Sequence, residues 1–293
     1  MTPEEKFYKE QDTSRQFHGL SADDEKELLA RFPDKKYFEF VYDKWINRES
    51  RPFDQKGIEQ SYYQWKPWEA WSYPIDDLVR YRHMILDNEE MIKDKKVADI
   101  GSHVGIGVLF ALHLGAKHCI GVEPFEMKNT LASLICEKAG FTNFNIMTGE
   151  LRQEKIYQKI NGFDTAILGS IIDMIPSHYQ LIENLAMTGI GNIIIEMEEV
   201  DHSESDVPNI KWRYYTDDFL HHGPLVKKGG NGLHGYPNIA FLKILLGNFG
   251  YQLEKRTKFY VNTNNQKPTQ RSVSVFVLDQ VDETGKDVNL KND

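Results

Sequence analysis

Cysteine is nearly absent from the 293-residue sequence, which has only Cys119 and Cys136, and neither lies in a cluster with metal-ligand spacing. Both fall in apolar segments, so we expect two buried free thiols and no metal site. No apolar run reaches about 18 residues, and the amino terminus, Met-Thr-Pro-Glu-Glu-Lys, does not have the pattern of a signal peptide. These absences predict a cytoplasmic protein that does not enter a membrane.

Basic charge is also scarce. The chain has 35 lysines and arginines against 44 aspartates and glutamates, which gives a net charge of −9. A surface that binds nucleic acid is normally basic, and here no lysine or arginine cluster stands out beyond residues 93–96 and 227–228. The composition therefore disfavours nucleic acid as a partner. Internal repeats and long linkers are absent too, and the length suits one large core with a helical cap.

The most informative feature is a pair of short segments. Residues 97–107 read Val-Ala-Asp-Ile-Gly-Ser-His-Val-Gly-Ile-Gly, and residues 120–124 read Ile-Gly-Val-Glu-Pro. The pattern predicts a strand ending near Asp99, a glycine-rich turn, a helix, and a second strand ending at Glu123, 24 residues after Asp99. This is the first half of a nucleotide-binding βαβ unit, with an acidic residue placed to hold a ribose.

The turn does not suit a dinucleotide. Its glycines are Gly101, Gly105 and Gly107, which do not fit Gly-x-Gly-x-x-Gly, and the Asp99 carboxylate would repel a pyrophosphate but suits a cationic ligand. Asp-x-Gly-x-x-x-Gly followed by a strand ending in Glu123 resembles the cofactor site of the class I S-adenosylmethionine-dependent methyltransferases. Their cofactor carries a sulfonium, an ammonium and a ribose diol, and no phosphate.

The resemblance implies roles for individual residues. The turn of residues 101–105 would lie against the methionine part of S-adenosylmethionine, Glu123 would hold the ribose, and Asp99 would order the turn from below. His103 stands where a smaller residue is usual, and Glu150 either accepts from the adenine amino group or is a solvated helix start. The candidate cofactor-binding residues are Asp99, Gly101, Ser102, His103, Gly105, Glu123, Pro124, Glu150 and Gly169.

The rest of the chain extends the unit. Strands at 143–147, 163–168 and 192–196 alternate with helical segments at 129–139, 156–160 and 179–187. A helix at 239–248, capped by Asn238, and strands at 252–260 and 272–279 follow. Residues 91–280 are therefore predicted to form an α/β domain with a doubly wound Rossmann-like methyltransferase sheet and an antiparallel final strand, and residues 281–293 a frayed tail.

The first 90 residues differ, and we expect them to form a helical, aromatic-rich cap. Residues 62–74 read Tyr-Tyr-Gln-Trp-Lys-Pro-Trp-Glu-Ala-Trp-Ser-Tyr-Pro. These aromatic side chains, Trp65 among them, either pack between the cap and the sheet or form one wall of an acceptor pocket. Trp68 and Trp71 are candidate substrate contacts.

A second irregular segment follows the fifth strand. Residues 199–237 are rich in aromatic residues, histidine and glycine and show no clear elements, which is typical of a functional insertion. We interpret the segment as a lid over the carboxyl ends of the strands, with Tyr214 and His222 as candidate substrate contacts. A surface loop with two small helices is the alternative.

Methyl transfer often requires a base to remove an acceptor proton, and histidine is the usual base near neutral pH. His178, His221, His222 and His234 are the candidates, with Tyr236 beside the methyl group. Asp173 or Glu196 could serve instead, and Glu196 is also a candidate substrate contact. Acidic residues at 196–201 with His202 could gather a metal ion, but their spacing favours a solvated acidic turn.

Three functions stay open. The first is S-adenosylmethionine-dependent transfer of a methyl group to an oxygen or nitrogen of a small-molecule acceptor. The second is an RNA or protein methyltransferase, and the third is a non-catalytic S-adenosylmethionine-binding module. The order of the Trp-rich segment, the Asp99 turn, Phe163-Asp164-Thr165 and residues 237–251 is also similar to the layout of the tRNA wobble-uridine carboxymethyltransferases. A homodimer is one expected assembly.

Overall fold

A computed structural model describes residues 80–81, 83–138, 140–200, 205–215, 232–261 and 269–279. Nearly all of the predicted cap, with Trp65, Trp68 and Trp71, lies outside these residues, as do His221, His222 and the predicted tail. The predictions for those segments stay predictions. Among the described residues, no helix has the length and apolar character needed to cross a membrane.

The first part of the described chain alternates strands and helices. The strands are β1 (Lys96–Ile100), β2 (His118–Glu123), β3 (Phe144–Thr148), β4 (Thr165–Gly169) and β5 (Asn192–Glu198). The helices are α1 (Ile106–His113), α2 (Glu126–Lys138), α3 (Glu154–Ile160) and α4 (His178–Ala186), with short 3-10 helices at Leu86–Met91 and Ile172–Met174. This alternation produces a parallel sheet, because each helix returns the chain to the same end.

The second part closes the sheet. After the strands β6 (Ile210–Tyr215) and β7 (Gly232–Pro237) come helix α5 (Ile239–Gly247) and the strands β8 (Tyr251–Val261) and β9 (Thr269–Leu278). The main sheet has the order β3-β2-β1-β4-β5-β9-β8, with β9 antiparallel to both β5 and β8. The doubly wound sheet with an antiparallel final strand, predicted from the sequence, is confirmed.

Both faces of the sheet are covered. Consecutive residues of β1 point to opposite faces, so Val97 packs with α1 residues such as Leu109, whereas Ala98 packs with the group that contains Leu181 of α4. The apolar runs of β1 and β4 are buried along nearly their whole length for this reason. Cys119 in β2 and Cys136 in α2 are buried free thiols, as the sequence predicts.

Residues 199–237 contain regular structure that the sequence analysis did not find. β6 and β7 pair antiparallel in a separate two-stranded sheet, with Trp212 opposite Gly235 and Arg213 opposite His234. The alternative of two small helices is wrong for the described part of this segment. Aromatic residues favour strands when a partner strand is present, and that partner lies beyond the window in which local periodicity is visible.

Candidate functional site

The turn between β1 and α1 wraps closely around the end of β2. The backbone N–H groups of Gly101 and Ser102 both donate to the carbonyl of Val122, at 2.9 and 3.0 Å. Gly101 and Gly105 have φ of +78°, a left-handed conformation that glycine adopts without strain. A Cβ atom at Gly105 would lie 2.6 Å from the Cβ of Ala132 in α2, so the second glycine also allows the two helices to approach.

His103 fits this turn without blocking it. Its φ is +51°, an uncommon value for a residue with a side chain, and its backbone N–H donates to Glu123 Oε2 at 3.2 Å. The unusual residue therefore aims its backbone donor at the carboxylate that ends β2. The turn and the acidic residue form one hydrogen-bonded unit.

Glu123 is buried at the carboxyl end of β2, with 5% of its surface exposed. Oε1 lies 3.5 Å from Nζ of Lys128, a residue of α2 that is itself buried. Burial raises the pKa of Glu123 above its usual range, while Lys128 and the backbone N–H groups of Phe125 and His103 act to lower it. The site thus holds a desolvated carboxylate beside a buried ammonium group.

Asp99 lies beneath the start of α1. Its carboxylate accepts a hydrogen bond from the backbone N–H of Val108, and a Cβ atom at Gly107 would lie 2.4 Å from Oδ2. Burial and the nearby Glu123 raise the pKa of Asp99 from 3.8 to about 7, although the Val108 N–H and Arg80 act in the opposite direction. Oδ2 has no hydrogen-bond partner among the described residues. Asp99 therefore lies beneath the turn as a buried acid whose ionised form is unfavourable.

Two further strand ends meet the turn. Beside β2, Asn129 donates to the carbonyl of Glu123 and to Thr148 Oγ1, both at 2.9 Å, which fixes α2 against the end of β3. Gly149 N–H also donates to the Glu123 carbonyl, at 3.2 Å. On the opposite side, a Cβ atom at Gly101 would lie 3.0 Å from Ile171, just after β4. The turn thus sits between the ends of β3 and β4.

The remaining cofactor candidates border the same edge. Pro124 follows Glu123 and is half-buried, and Glu150 is half-buried with its Oε2 3.3 Å from Arg152. Gly169 ends β4, where a Cβ atom would lie 3.2 Å from the sulfur of Met84. The fold therefore brings the candidates from four segments to the carboxyl ends of β1 to β4.

An ion network that the sequence analysis did not predict lies at the ends of β4 and β5. Glu196 is fully buried, and Arg80 donates to its Oε2 at 2.7 Å while Arg271 of β9 donates to Oε1. Ser170 joins the network, since both arginines donate to its hydroxyl oxygen. Burial would raise the pKa of Glu196, but Arg271 and Arg80 outweigh it and hold the pKa at about 2.

The glutamates that follow are paired in the same way. Glu198 lies 2.9 Å from Arg213 of β6, and Glu199 lies 2.6 Å from Arg256 of β8. Residues 196–199 are therefore not a solvated turn: they form the end of β5 and the residue after it, and each of the three glutamates binds an arginine from another strand. Asp201 and His202 lie outside the described residues.

The second strand of the insertion, β7, brings a histidine to the carboxyl end of β4. His234 of β7 is 6% exposed, and its Nδ1 lies 3.5 Å from Oδ2 of the buried Asp173, in the 3-10 helix after β4. The ring of Tyr236 stacks 6.3 Å from that of His234, and the guanidinium of Arg213 lies 4.7 Å from the Tyr236 ring. A histidine, an aspartate and a tyrosine thus meet after the carboxyl end of β4.

His178 occupies a different position. Its Nε2 lies 3.1 Å from the carbonyl oxygen of Gly235, and it also hydrogen-bonds the backbone of Ile172. Burial lowers the pKa of His178 below its usual value, although its hydrogen bonds and Asp173 act to raise it. This histidine joins β7 to the turn after β4. Tyr214 lies in β6, and its side chain is not among those described.

Sequence relatives and solved structures identify the fold. No family model matches the chain. It is 37% identical over 81 residues to Protein arginine N-methyltransferase 1 of Saccharomyces cerevisiae, and 35% identical over 83 residues to Probable protein arginine N-methyltransferase 1.2 of Arabidopsis thaliana. These matches cover 26% and 27% of this chain, and it spans less than a quarter of the relatives' length, 23% and 22%.

The structure is similar to the N-terminal domain of EvdMO1 with SAH bound, with a TM-score of 0.53 and 14% identity over 89% of this chain and 98% of that one. The chain has the class I S-adenosylmethionine-dependent methyltransferase fold. A second structure with this fold, from Listeria monocytogenes and assigned as an S-adenosylmethionine-dependent methyltransferase, gives a TM-score of 0.51 and 13% identity over 70% of this chain and 99% of that one. In this methyltransferase fold the observed strand ends, turn and Glu123 occupy one edge of the sheet.

Proposed function

We propose that the protein transfers a methyl group from S-adenosylmethionine to an oxygen or nitrogen of a small-molecule acceptor. The observation that carries the proposal is the unit formed by Asp99, the left-handed turn and Glu123, with the Asp173–His234 pair beside it. The methyltransferase fold and the arginine methyltransferase relatives support methyl transfer from S-adenosylmethionine, while the names of the relatives favour a protein acceptor over a small molecule.

The residues at this edge fit the chemistry of the cofactor. Two buried carboxylates, Asp99 and Glu123, would repel a phosphate but suit an ammonium and a ribose diol. Glu123 would accept from the ribose hydroxyls, and Asp99 Oδ2, which has no hydrogen-bond partner among the described residues, would serve the ammonium through a bridging water. Glu150 or the Gly149 backbone would accept from the adenine amino group.

His234 is the proposed base. When bound, S-adenosylmethionine supplies an electrophilic methyl carbon that an acceptor lone pair can attack in line with the carbon–sulfur bond. Asp173, whose Oδ2 lies 3.5 Å from Nδ1 of His234, would stabilise the positive charge of the ring while the ring takes the acceptor proton. Tyr236, stacked on the ring, would hold it against rotation.

The charge pairing favours a neutral acceptor over an arginine. A guanidinium substrate needs carboxylates to bind it, but Glu196, Glu198 and Glu199 are each paired with arginines of the chain. Binding a second cation at Glu196 would require displacing Arg80 or Arg271 from a buried carboxylate, which is costly. A hydroxyl or a neutral amine avoids this cost.

The first test separates cofactor binding from chemistry. Wild-type protein should bind S-adenosylhomocysteine in calorimetry, and Glu123→Ala should weaken that binding by roughly 1.5–3 kcal/mol, since a charged hydrogen-bond acceptor is lost. His234→Asn should leave binding intact and lower turnover roughly 100- to 10,000-fold. His118→Asn, at the opposite end of β2, is the matched control.

The second test addresses the acceptor. Radiolabelled S-adenosylmethionine should label compounds in hydroxyl- and amine-containing metabolite pools and not arginine-containing peptides. Labelling of the peptides alone would replace the small-molecule proposal with a protein methyltransferase. Absence of cofactor binding by the wild-type protein would reject the proposed function altogether.

A further inference from the structure

Lys128 is a buried cation with one acidic partner, Glu123, among the described residues. It is 4% exposed, lies in the first turns of α2, and its Nζ is 3.5 Å from Glu123 Oε1. Lysine is rarely buried to this extent unless its charge is paired. Desolvation lowers the pKa of Lys128, while Glu123 acts to raise it.

The surroundings fix this ammonium group in place. Nζ lies 4.6 Å from the centre of the Phe125 ring, a distance at which the ring face attracts a cation. The next residue, Asn129, ties the same helical turn to the Glu123 carbonyl and to Thr148. Lys128 is thus held beside Glu123 by a ring on one side and by an anchored helix on the other.

Without a cation, Glu123 would be hard to keep ionised. The carboxylate is desolvated, and the second buried acid, Asp99, adds a like charge. A protonated carboxyl group loses part of its capacity to accept hydrogen bonds, and ribose hydroxyls need acceptors. An ionised carboxylate has about four lone-pair sites on its two oxygens and accepts hydrogen bonds at both, whereas protonation turns one of the oxygens into a donor.

We propose that Lys128 is a positioning residue for the cofactor, which keeps Glu123 ionised and oriented to accept both ribose hydroxyls, a role that rests on the proposed binding of S-adenosylmethionine. Lys128 pairs with Oε1, and the backbone N–H of His103 donates to Oε2, so each carboxylate oxygen has a partner that fixes its position. The sequence pattern assigns the ribose to Glu123 and carries no signal for Lys128, five positions later.

Other titratable groups face Glu123 and enter the design of the test. Asp99 approaches from β1 and Lys128 from α2, whereas the turn contributes only the backbone N–H of His103 and β3 the neutral Thr148. Arg80 faces Asp99 from the segment before β1. Asp99, with a pKa of about 7, titrates between the two pH values of the test in wild type and variant alike, so the two proteins are compared with each other at each pH.

The test measures binding of 5′-methylthioadenosine by calorimetry at pH 6 and pH 9. This probe has the adenine and the ribose of the cofactor but neither its ammonium nor its carboxylate, so the methionine groups do not contribute to the pH dependence. Lys128→Met should raise the pKa of Glu123 and weaken binding much more at pH 6 than at pH 9. The ratio of variant to wild-type Kd should therefore be larger at pH 6 than at pH 9, and it approaches about tenfold for each unit by which the pKa in the variant exceeds pH 6.

Four controls make the outcome specific. Lys128→Arg should restore the wild-type profile, and Lys128→Gln repeats the test if the Met variant does not fold. Lys243→Met removes an exposed lysine of α5 and should have no effect. The double variant Lys128→Met with Glu123→Gln should bind weakly with no added pH dependence. A 2′,3′-dideoxy probe should give the same variant-to-wild-type ratio at both pH values.

The failures are distinguishable. If the wild-type protein binds the probe and Lys128→Met shows the wild-type pH profile, or a loss that is equal at both pH values, the role of Lys128 is refuted and the proposed function stands. If the wild-type protein binds neither the probe nor S-adenosylhomocysteine at either pH, the proposed function fails, and the role of Lys128 fails with it.

Discussion

Asp99 makes the protein less stable as the pH rises, and its replacement with Asn should remove that effect. The carboxylate is buried beneath α1, and its folded-state pKa is raised from 3.8 to about 7, mainly by burial and then by Glu123. Between these two values the folded protein holds a proton that the unfolded chain has lost. The free energy of unfolding must therefore fall as the pH increases through this window.

The size of the effect follows from the two pKa values. At pH 5 the unfolded Asp99 is largely ionised and the folded one is protonated, whereas at pH 8 both are largely ionised and the folded state bears nearly the full cost of the buried charge. With a folded pKa of about 7 against 3.8, the Asp99 contribution to stability falls by roughly 2.5 kcal/mol from pH 5 to pH 8. Asn does not ionise, so Asp99→Asn should lack this loss.

Urea denaturation of the ligand-free protein at both pH values measures the effect. The loss of stability from pH 5 to pH 8 should be smaller in Asp99→Asn than in wild type by about 2.5 kcal/mol. Glu90→Gln removes an exposed carboxylate from the 3-10 helix before β1 and is the matched control. Costs that do not depend on pH, such as a weaker hydrogen bond to the Val108 N–H, cancel in the comparison. Equal slopes in wild type and Asp99→Asn would refute the reasoning.

Two local features yield further predictions, both measurable by urea denaturation. Gly105→Ala should lower the free energy of unfolding by about 2–4 kcal/mol, because φ is +78° and the new Cβ would lie 2.6 Å from that of Ala132. Gly162 has φ of +72° but open space around it, so Gly162→Ala should show only the cost of the left-handed backbone. Equal losses in the two variants would contradict a steric clash at Gly105. Asn238→Ala should also cost about 2–4 kcal/mol, since Oδ1 accepts from the backbone N–H groups of Phe241 and Asn209. Asn238→Asp keeps an oxygen that can accept both hydrogen bonds, so its stability should lie between that of wild type and that of Asn238→Ala. A loss of stability as large as that of Asn238→Ala would contradict the role of this acceptor.

The parts of the site that the sequence predicted are encoded in short stretches. Asp99, Gly101 and Gly105 belong to one strand–turn–helix, and Glu123 follows after one helix and one strand. Their spacing is dictated by the geometry of a βαβ unit, so local patterns are enough to place them at the same edge. The helix cap at Asn238 is also a local signal, because a cap and its helix are adjacent in sequence, and the Asn238 side chain does accept from the backbone N–H of Phe241.

The arginine network could not be found in this way. Arg80 and Arg271 reach Glu196 from 116 and 75 residues away, and nothing in the neighbourhood of any of the three signals the others. The pairing depends on the sheet order, which puts β9 beside β5, with Glu198 directly opposite Arg271. The β6–β7 pair has the same origin, since its strands are joined by residues that carry no strand pattern.

Lys128 lies between these two cases. Lys128 follows Glu123 by five positions, so the pair is local, yet the contact also depends on α2, which begins at Glu126 and is anchored to the Glu123 carbonyl by Asn129. Glu196 shows the converse: it was predicted to contact the substrate from its place at the end of β5, but its oxygens are bound by Arg80, Arg271 and Ser170. Removing one arginine would leave a buried charge without full compensation. An acid at the end of a strand therefore indicates at which edge of the sheet a ligand can bind. Whether that acid is available to the ligand depends on the side chains that pair with it, and the tertiary structure determines those partners.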